Sequence, residues 1–197
     1  MGRPLNFDRD RAVENAMNEI WKNGMEVSSA KSLAECLGIS RSSLYNSFGS
    51  REGLIREAFK RYSSQSPNQI LEGIDSESEI LPVINQLFRD VCRLRAADPD
   101  AKGCLAVNCI AELVGIDDSL GPDIEALIEQ SILRFEKLLQ QAVRNGEIEQ
   151  EPDLREKALA LQNLLIGINL IAKVVRSEED LWAIARQTLS GLGLYRK

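Results

Sequence analysis

The chain has 197 residues, of which 44% are hydrophobic and 27% charged, so it can bury a core without disulfide or metal support. It contains no histidine, and its four cysteines form no Cys-x-x-Cys pair, which argues against a zinc site and against Ser-His-Asp or Cys-His catalysis. A polar N-terminus and the lack of any apolar run of about 18 residues predict a cytoplasmic protein with no membrane span. The missing histidine and metal-ligand spacing, together with the lack of a phosphate-binding glycine motif, predict no cofactor, no metal and no enzymatic activity.

Helical periodicity covers most of the chain, and no sustained alternation of β-branched residues predicts a strand. The first helix has a predicted N-cap at Asp8 and a predicted end at Gly24. Its apolar stripe has the spacing of one helix face and consists of Val13, Ala16, Met17, Ile20 and Trp21. A fourth helix repeats this stripe from Leu54 to Tyr62 after a Ser50 cap, and two short helices at roughly 29–36 and 40–47 lie between the first and the fourth.

The segment 31–48 has the pattern of a helix-turn-helix. Ala34 is a small residue for the point where two steeply crossing helices touch, and Gly38 permits the positive φ of a tight turn. Ser40 is a suitable cap for the second helix, whose outer surface is short and polar. Such a face fits the major groove of DNA, although an ordinary helical hairpin with a solvated face has the same spacing.

The charge is divided along the chain in a way that suits nucleic-acid binding by the first third. Net charge is −6, yet residues 1–66 carry ten Lys and Arg against eight Asp and Glu. Residues 67–197 carry fourteen against twenty-two. A locally basic surface can neutralise phosphates even on an acidic protein.

The segment 40–54, SRSSLYNSFGSREGL, together with Gly2-Arg3-Pro4, resembles the DNA-binding module of the tetracycline-repressor (TetR) family over residues 8–62. In that family a Tyr, a Phe, a small turn and a basic residue follow one another, here Tyr45, Phe48, Gly49-Ser50 and Arg51. Arg51 stands where the family more often has Lys, and Ser47 where it often has His. The resemblance implies that Tyr45, Arg51 and Lys31 contact the DNA backbone. The full candidate DNA-binding set consists of Lys31, Ser40, Arg41, Ser42, Ser43, Tyr45, Asn46, Ser47 and Arg51.

Independent chemistry supports two members of that set. Arg41 and Asn46 have the side chains best suited to reading guanine and adenine. Arg3, in an N-terminal arm, is a further candidate for the minor groove, and a disordered tail explains it equally well.

Beyond residue 62, further helices are predicted at roughly 79–97, 102–115, 122–145, 153–175 and 178–194, with Pro82 leaving the start of the first of these open. Apolar residues on nearly all faces of 153–175 predict burial on two sides, one on its own domain and one on a partner subunit. A single thick monomeric core is the alternative. The resemblance implies that this region, 63–197, binds an effector and forms the homodimer.

Sparse polar groups in apolar helices indicate a candidate effector-binding set: Cys104, Asn108, Glu112, Asn163 and Gly167. A structural role is the favoured alternative for each of them. Cys104 falls in the predicted first turn of its helix, where thiolate is favoured, while burial among apolar neighbours disfavours it. An electrophile- or redox-sensing thiol is therefore an alternative to an ordinary small-molecule pocket.

The sequence thus predicts an all-α fold of about nine helices, with an N-terminal three-helix helix-turn-helix module (1–62) and a C-terminal helical effector and dimerisation domain (63–197). The predicted function is a ligand-responsive repressor that binds a palindromic double-stranded DNA operator as a homodimer. Activation instead of repression stays open. A thiol sensor using Cys104 and a helical protein-interaction module without DNA binding are the alternatives.

Overall fold

The computed structural model describes residues 7–150 and 153–196, and the expectation for Arg3 lies outside them. Within these residues the chain is all-helical and has no strand, which confirms the predicted fold class. The nine α-helices and one 3₁₀ helix (Pro67–Leu71) of this part of the chain are α1 Arg9–Asn23, α2 Ala30–Cys36, α3 Arg41–Phe48, α4 Arg51–Ser64, α5 Ile80–Ala97, α6 Leu105–Leu113, α7 Gly121–Arg144, α8 Leu154–Ile171 and α9 Glu178–Gly191.

The ends of the early helices follow from their capping residues. The Asp8 side chain accepts a hydrogen bond from the backbone N–H of Arg11, and Gly24, with φ +84°, ends α1. Ser50 accepts from the N–H of Gly53 at 3.0 Å and so begins α4. These caps satisfy backbone groups that a helix end otherwise leaves unpaired, and they confirm the predicted boundaries.

Three later helices are shorter than predicted, and the last of them, α9, ends at Gly191 instead of 194. Gly103, with φ +69°, delays the start of α6, so Cys104 is its N-cap, with extended backbone, and does not lie in its first turn. The helix predicted at 153–175 ends at Ile171, and turns follow it. Pro82 lies in the first turn of α5, where its missing N–H leaves no intrahelical bond unmade.

The chain divides into two compact units, and the division differs from the expected boundary at residue 62. The first unit contains the described residues up to Ser66 and also residues 104–124, and the second contains 67–103 and the described residues from 125 onward. Residues 104–124 belong to the first unit because their apolar side chains are part of its hydrophobic core. These side chains come from α6 and the residues after it, namely Leu105, Cys109, Leu113, Leu120 and Ile124.

The second unit has its own core, built mainly from α5, α7, α8 and α9. The first amides of α5 are satisfied by Glu147, which accepts from the N–H groups of Ile80 and Leu81 at 2.8 to 3.0 Å. Polar groups are also buried: Arg95 donates to the Asn169 side chain at 2.6 Å. Since buried polar groups are costly unless hydrogen-bonded, these contacts favour one arrangement of the helices.

Candidate nucleic-acid interface

The turn between α2 and α3 has the local chemistry that the sequence predicts. Gly38 has φ +64°, and the N–H of Ile39 donates to the carbonyl of Ala34 at 3.0 Å, which closes the end of α2. Ala34 is buried where the helices meet, and Leu44 and Phe48 pack into the core of the first unit. This packing fixes which face of α3 points outward.

The outward face of α3 is polar and open. Arg41, Ser42 and Asn46 are exposed, and Tyr45 has 48% of its surface accessible. Among the described residues Arg41 has no hydrogen-bond or ion-pair partner, so its guanidinium is available to an external acceptor. An exposed Arg, Asn and Tyr on one helix can reach base edges and phosphates.

Three hydroxyls cluster at the N-terminus of α3. Ser40 accepts from the N–H of Ser43 at 3.1 Å, and its Oγ lies 2.8 Å from that of Ser42 and 2.9 Å from that of Ser43. A helix N-terminus carries partial positive charge and unpaired N–H groups, so hydroxyls there suit a phosphate oxygen. Lys31 on α2 is exposed and has only a weak pair, 3.9 Å from Glu35.

The structure gives Ser47 and Arg51 different surroundings from those expected. The Ser47 hydroxyl is buried and has no hydrogen-bond partner among the described residues, so it does not face outward. Arg51 donates from Nε to the carbonyl of Ser28 at 2.6 Å and from Nη2 to that of Met25 at 3.3 Å. Its Nη1 lies 3.3 Å from Glu52, and only 21% of its side chain is exposed. No sequence signal distinguishes these donors from those of Arg41.

The effector-binding candidates are split between the two units. Cys104, Asn108 and Glu112 belong to the first unit, where Glu112 accepts a hydrogen bond from the backbone N–H of Met25 at 2.5 Å. Asn163 and Gly167 are exposed on α8 in the second unit. The buried polar side chains of α8 are instead Gln162 and Asn169, and the grouping of the five into one ligand site stays a prediction.

Two of the cysteines are chemically quiet. Burial raises the pKa of the Cys109 thiol to about 12, and the charges of Glu112 and Cys104 act in the same direction. Burial also raises the pKa of the Cys92 thiol to about 12. Cys104 is partly buried, and Cys36 is exposed on α2.

The second unit exposes large apolar side chains on α8, α9 and the turn between them, namely Leu159, Leu170, Ile171, Val174 and Ile184. Isolated exposed apolar residues are ordinary, whereas contiguous exposed apolar patches are typical of surfaces that bind another protein. Gly167 adds open backbone there, because no atom beyond its chain neighbours and its own helix backbone lies within 4 Å of the position its Cβ would take.

Other site types find no support in the described residues. No helix there is both long and apolar enough to cross a membrane. In the same part of the chain, no group of three acidic or cysteine side chains is arranged to hold a metal ion.

Comparisons with known proteins agree with this architecture. Residues 12–58 match the family described as "Bacterial regulatory proteins, tetR family", and residues 81–188 match "Tetracyclin repressor-like, C-terminal domain". The chain is 26% identical over 189 residues to the HTH-type transcriptional repressor ComR of Escherichia coli (strain K12), covering 95% of this chain and 90% of ComR. It is 28% identical over 184 residues to the uncharacterized HTH-type transcriptional regulator YezE of Bacillus subtilis (strain 168), covering 92% and 94%.

A solved structure is similar over nearly the whole chain. It is a cysteine mutant of the TetR family transcriptional regulator CifR, complexed with 26-bp double-strand operator DNA. The TM-score is 0.84 at 29% identity, with 96% of this chain and 98% of that chain covered. Because family matches extend over most of its length, the protein is a member of the TetR family of bacterial transcriptional regulators.

Proposed function

We propose that this protein is a transcriptional repressor that binds double-stranded operator DNA as a homodimer through the exposed face of α3. The observation that carries the proposal is that face itself, on which Arg41, Tyr45 and Asn46 are presented by a packed helix. Operator DNA bound to CifR and the repressor activity in the name of ComR support it. The same role makes the protein a cytoplasmic regulator and not an enzyme.

Each side chain has a role in this proposal. Arg41 and Asn46 read base edges, since Arg pairs with guanine and Asn with adenine in bidentate fashion. Tyr45 and Lys31 contact the phosphate backbone. The hydroxyl cluster at the N-terminus of α3 receives a phosphate, where the helix dipole favours negative charge.

Ion pairing elsewhere in the first unit occupies three arginines that would otherwise be available to DNA. Arg9 pairs with Glu57, Arg61 with Glu14 at 2.9 Å, and Arg56 with Asp123 at 2.7 Å. These pairs neutralise cations of α1 and α4, whereas Arg41 is unpaired among the described residues. Arg41 therefore differs from these three arginines in that its guanidinium is available to DNA, although the whole chain is acidic.

The exposed apolar side chains of α8 and α9 are proposed as the homodimer interface. Leu170 and Val174 are 55% and 81% exposed in the single chain, which a partner copy would cover. Two copies related by a two-fold axis present two α3 helices, so the operator is expected to be palindromic. A small-molecule effector that prefers the non-binding arrangement would release the DNA.

The proposal is tested by DNA selection followed by titration. Duplexes are selected from a randomised pool with the wild-type protein, and binding to a selected duplex and to a random-sequence duplex of equal length is measured at several salt concentrations. We expect tighter binding to the selected duplex and a steep loss of affinity with salt. A protein-interaction module without DNA binding predicts no salt-dependent affinity for either duplex.

A further inference from the structure

The turn that joins α1 to α2 contains a backbone N–H group, that of Met25, whose hydrogen-bond acceptor comes from a distant part of the chain. Gly24 has φ +84° and its N–H closes α1 on the carbonyl of Ile20 at 2.8 Å. The next amide, that of Met25, points away from the helix and is bonded to the Glu112 carboxylate at 2.5 Å. Met25 is buried, so loss of this acceptor would leave an unsatisfied donor.

Gly24 makes room for that carboxylate. A Cβ at this position would lie 3.1 Å from Glu112 Oε2, which is tighter than an ordinary contact. The turn therefore combines a left-handed glycine with a carboxylate brought by α6, 87 residues further along the chain. The atoms that come close to Gly24 are those of the Glu112 carboxylate, so the glycine accommodates this particular side chain.

The other polar groups of the same turn are also occupied. The Ser28 hydroxyl donates to the carbonyl of Gly24 at 2.6 Å. The carbonyls of Met25 and Ser28 accept from Arg51. Thus the turn is held on its amide side by Glu112 and on its carbonyl side by Arg51, and these two side chains line one open cleft of about 690 Å³.

Arg51 connects this turn to α3, the helix that we propose binds DNA. It is the first residue of α4 and follows the Gly49-Ser50 turn that ends α3. The approach of α4 to α3 is close there, because a Cβ on Gly53 would lie 2.1 Å from the carbonyl oxygen of Phe48. Arg51 and Gly53 lie in the same first turn of α4, so we expect a shift of Arg51 to displace the C-terminal end of α3.

We propose that Glu112 is a positioning residue for α3, acting by holding the α1–α2 turn on which Arg51 is anchored. It is not an effector ligand in this role, because its carboxylate is used inside the first unit. The inference rests on the proposed DNA binding by α3. A displaced turn would shift Arg51 and the end of α3, and a small misplacement of a reading helix weakens base contacts.

The test uses two variants of nearly equal side-chain length. Glu112→Gln keeps an acceptor oxygen for the Met25 amide, and Glu112→Met has none. We expect Glu112→Met to bind a duplex selected by the wild-type protein about tenfold more weakly, the scale of a lost charge-assisted hydrogen bond. Glu112→Gln should stay within about threefold of wild type, and neither should change the salt slope, because neither variant removes a cationic side chain that pairs with a phosphate.

Asp118→Asn is the matched control. Asp118 is an exposed acid on the segment that follows α6, so this variant removes a negative charge from the same unit without touching the turn. It should bind the selected duplex at least as well as wild type. Equal losses in Glu112→Gln and Glu112→Met would assign the effect to charge alone and overturn the proposal, as would wild-type affinity in Glu112→Met.

Amide exchange of Met25 gives a reading that does not depend on DNA. In the full-length wild-type protein this amide should exchange slowly, and in Glu112→Met it should exchange faster together with amides of α3. Fast exchange in the wild type would overturn the inference even if Glu112→Met fails to fold. If the wild-type protein shows no preference for its selected duplex, the proposed function fails, whereas the exchange data still report on Glu112.

Discussion

Arg41 and Arg51 are ten residues apart, and the sequence treats both as arginines of one DNA-binding motif. In the structure Arg41 stands exposed on α3 without a partner among the described residues, while Arg51 is anchored to two backbone carbonyls at the start of α4. The same side chain is open in one region and already used in the other. The comparison teaches that residue type does not tell whether the donors of an arginine are available, and we base the proposed reading role of Arg41 and positioning role of Arg51 on that difference.

The same distinction applies to apolar side chains of α8 and the turn after it, where the largest effect is expected. Val174 is 81% exposed, whereas Ile168 is fully buried in the core of the second unit. Val174→Glu should give a folded protein that sediments as a monomer and loses operator binding by a factor on the order of 10² or more, since two linked half-sites no longer bind together. Sedimentation and operator titration measure both effects.

Ile168→Glu is the matched buried substitution. It places an unpaired charge in a core and should unfold the second unit, which circular dichroism would show as lost helicity. A dimer that survives Val174→Glu would place the partner interface elsewhere. A wild-type protein that sediments as one chain at micromolar concentration would contradict the dimer itself.

The two arginines provide the next test. Arg41→Ala should weaken binding to the selected duplex by about ten- to a hundredfold and relax the preference at one base position, as expected of a lost bidentate base contact. Its melting temperature should stay near that of wild type, because the side chain has no partner within the described residues. Titration against single-base variants of the duplex measures the preference.

Arg51→Ala should behave in the opposite way. It leaves two carbonyls without their charged donor, so the free energy of unfolding should fall by about 1.5–3 kcal/mol and operator affinity by about tenfold. The salt slope should not change. The family resemblance, which puts Arg51 on phosphate, predicts instead a slope flattened by about one unit, and such a result would contradict the positioning role.

How far the sequence could predict this molecule is visible in particular residues. Asp8, Gly24, Gly38 and Ser50 were sufficient to define helix ends, because caps and left-handed glycines act through neighbours in the chain. The backbone groups that Arg51 and Glu112 bind lie 23 to 87 residues away and depend on how helices pack, so local pattern gives no sign of them. The inclusion of 104–124 in the first unit was missed for the same reason.

Two serines of α3 repeat the comparison on a smaller scale. Ser42 is exposed in the hydroxyl cluster at the helix N-terminus, and the Ser47 hydroxyl is buried without a partner among the described residues. Ser42→Ala should weaken binding to all duplexes alike by a few-fold, as expected for a phosphate contact. Ser47→Ala should leave DNA affinity unchanged and stabilise the fold by up to about 1 kcal/mol, because it removes an unsatisfied buried hydroxyl. Titration and thermal unfolding of both variants distinguish these outcomes.

The buried and exposed cysteines are expected to differ in their rate of alkylation. Burial raises the pKa of the Cys92 and Cys109 thiols to about 12, so at pH 8 their thiolate fraction should be about a thousandfold below that of an ordinary thiol. Because the folded state keeps the proton, alkylation should accelerate only as pH rises toward that value. Iodoacetamide followed by peptide mass spectrometry should therefore modify exposed Cys36 before either buried thiol.

Cys104 decides between an ordinary effector and a thiol sensor. Its side chain is partly buried at the start of α6 and packs against the core of the first unit, which restricts the approach of a reagent. We therefore expect mild peroxide to release DNA from wild type and from Cys104→Ser at the same slow rate, because packing of the Cys104 side chain limits access of peroxide to the thiol. Fluorescence anisotropy of a labelled operator follows the release. Rapid release from wild type alone would show that the Cys104 thiol is accessible and reacts with peroxide. Cys104 would then resemble Arg41, whose side chain is exposed, and not Arg51.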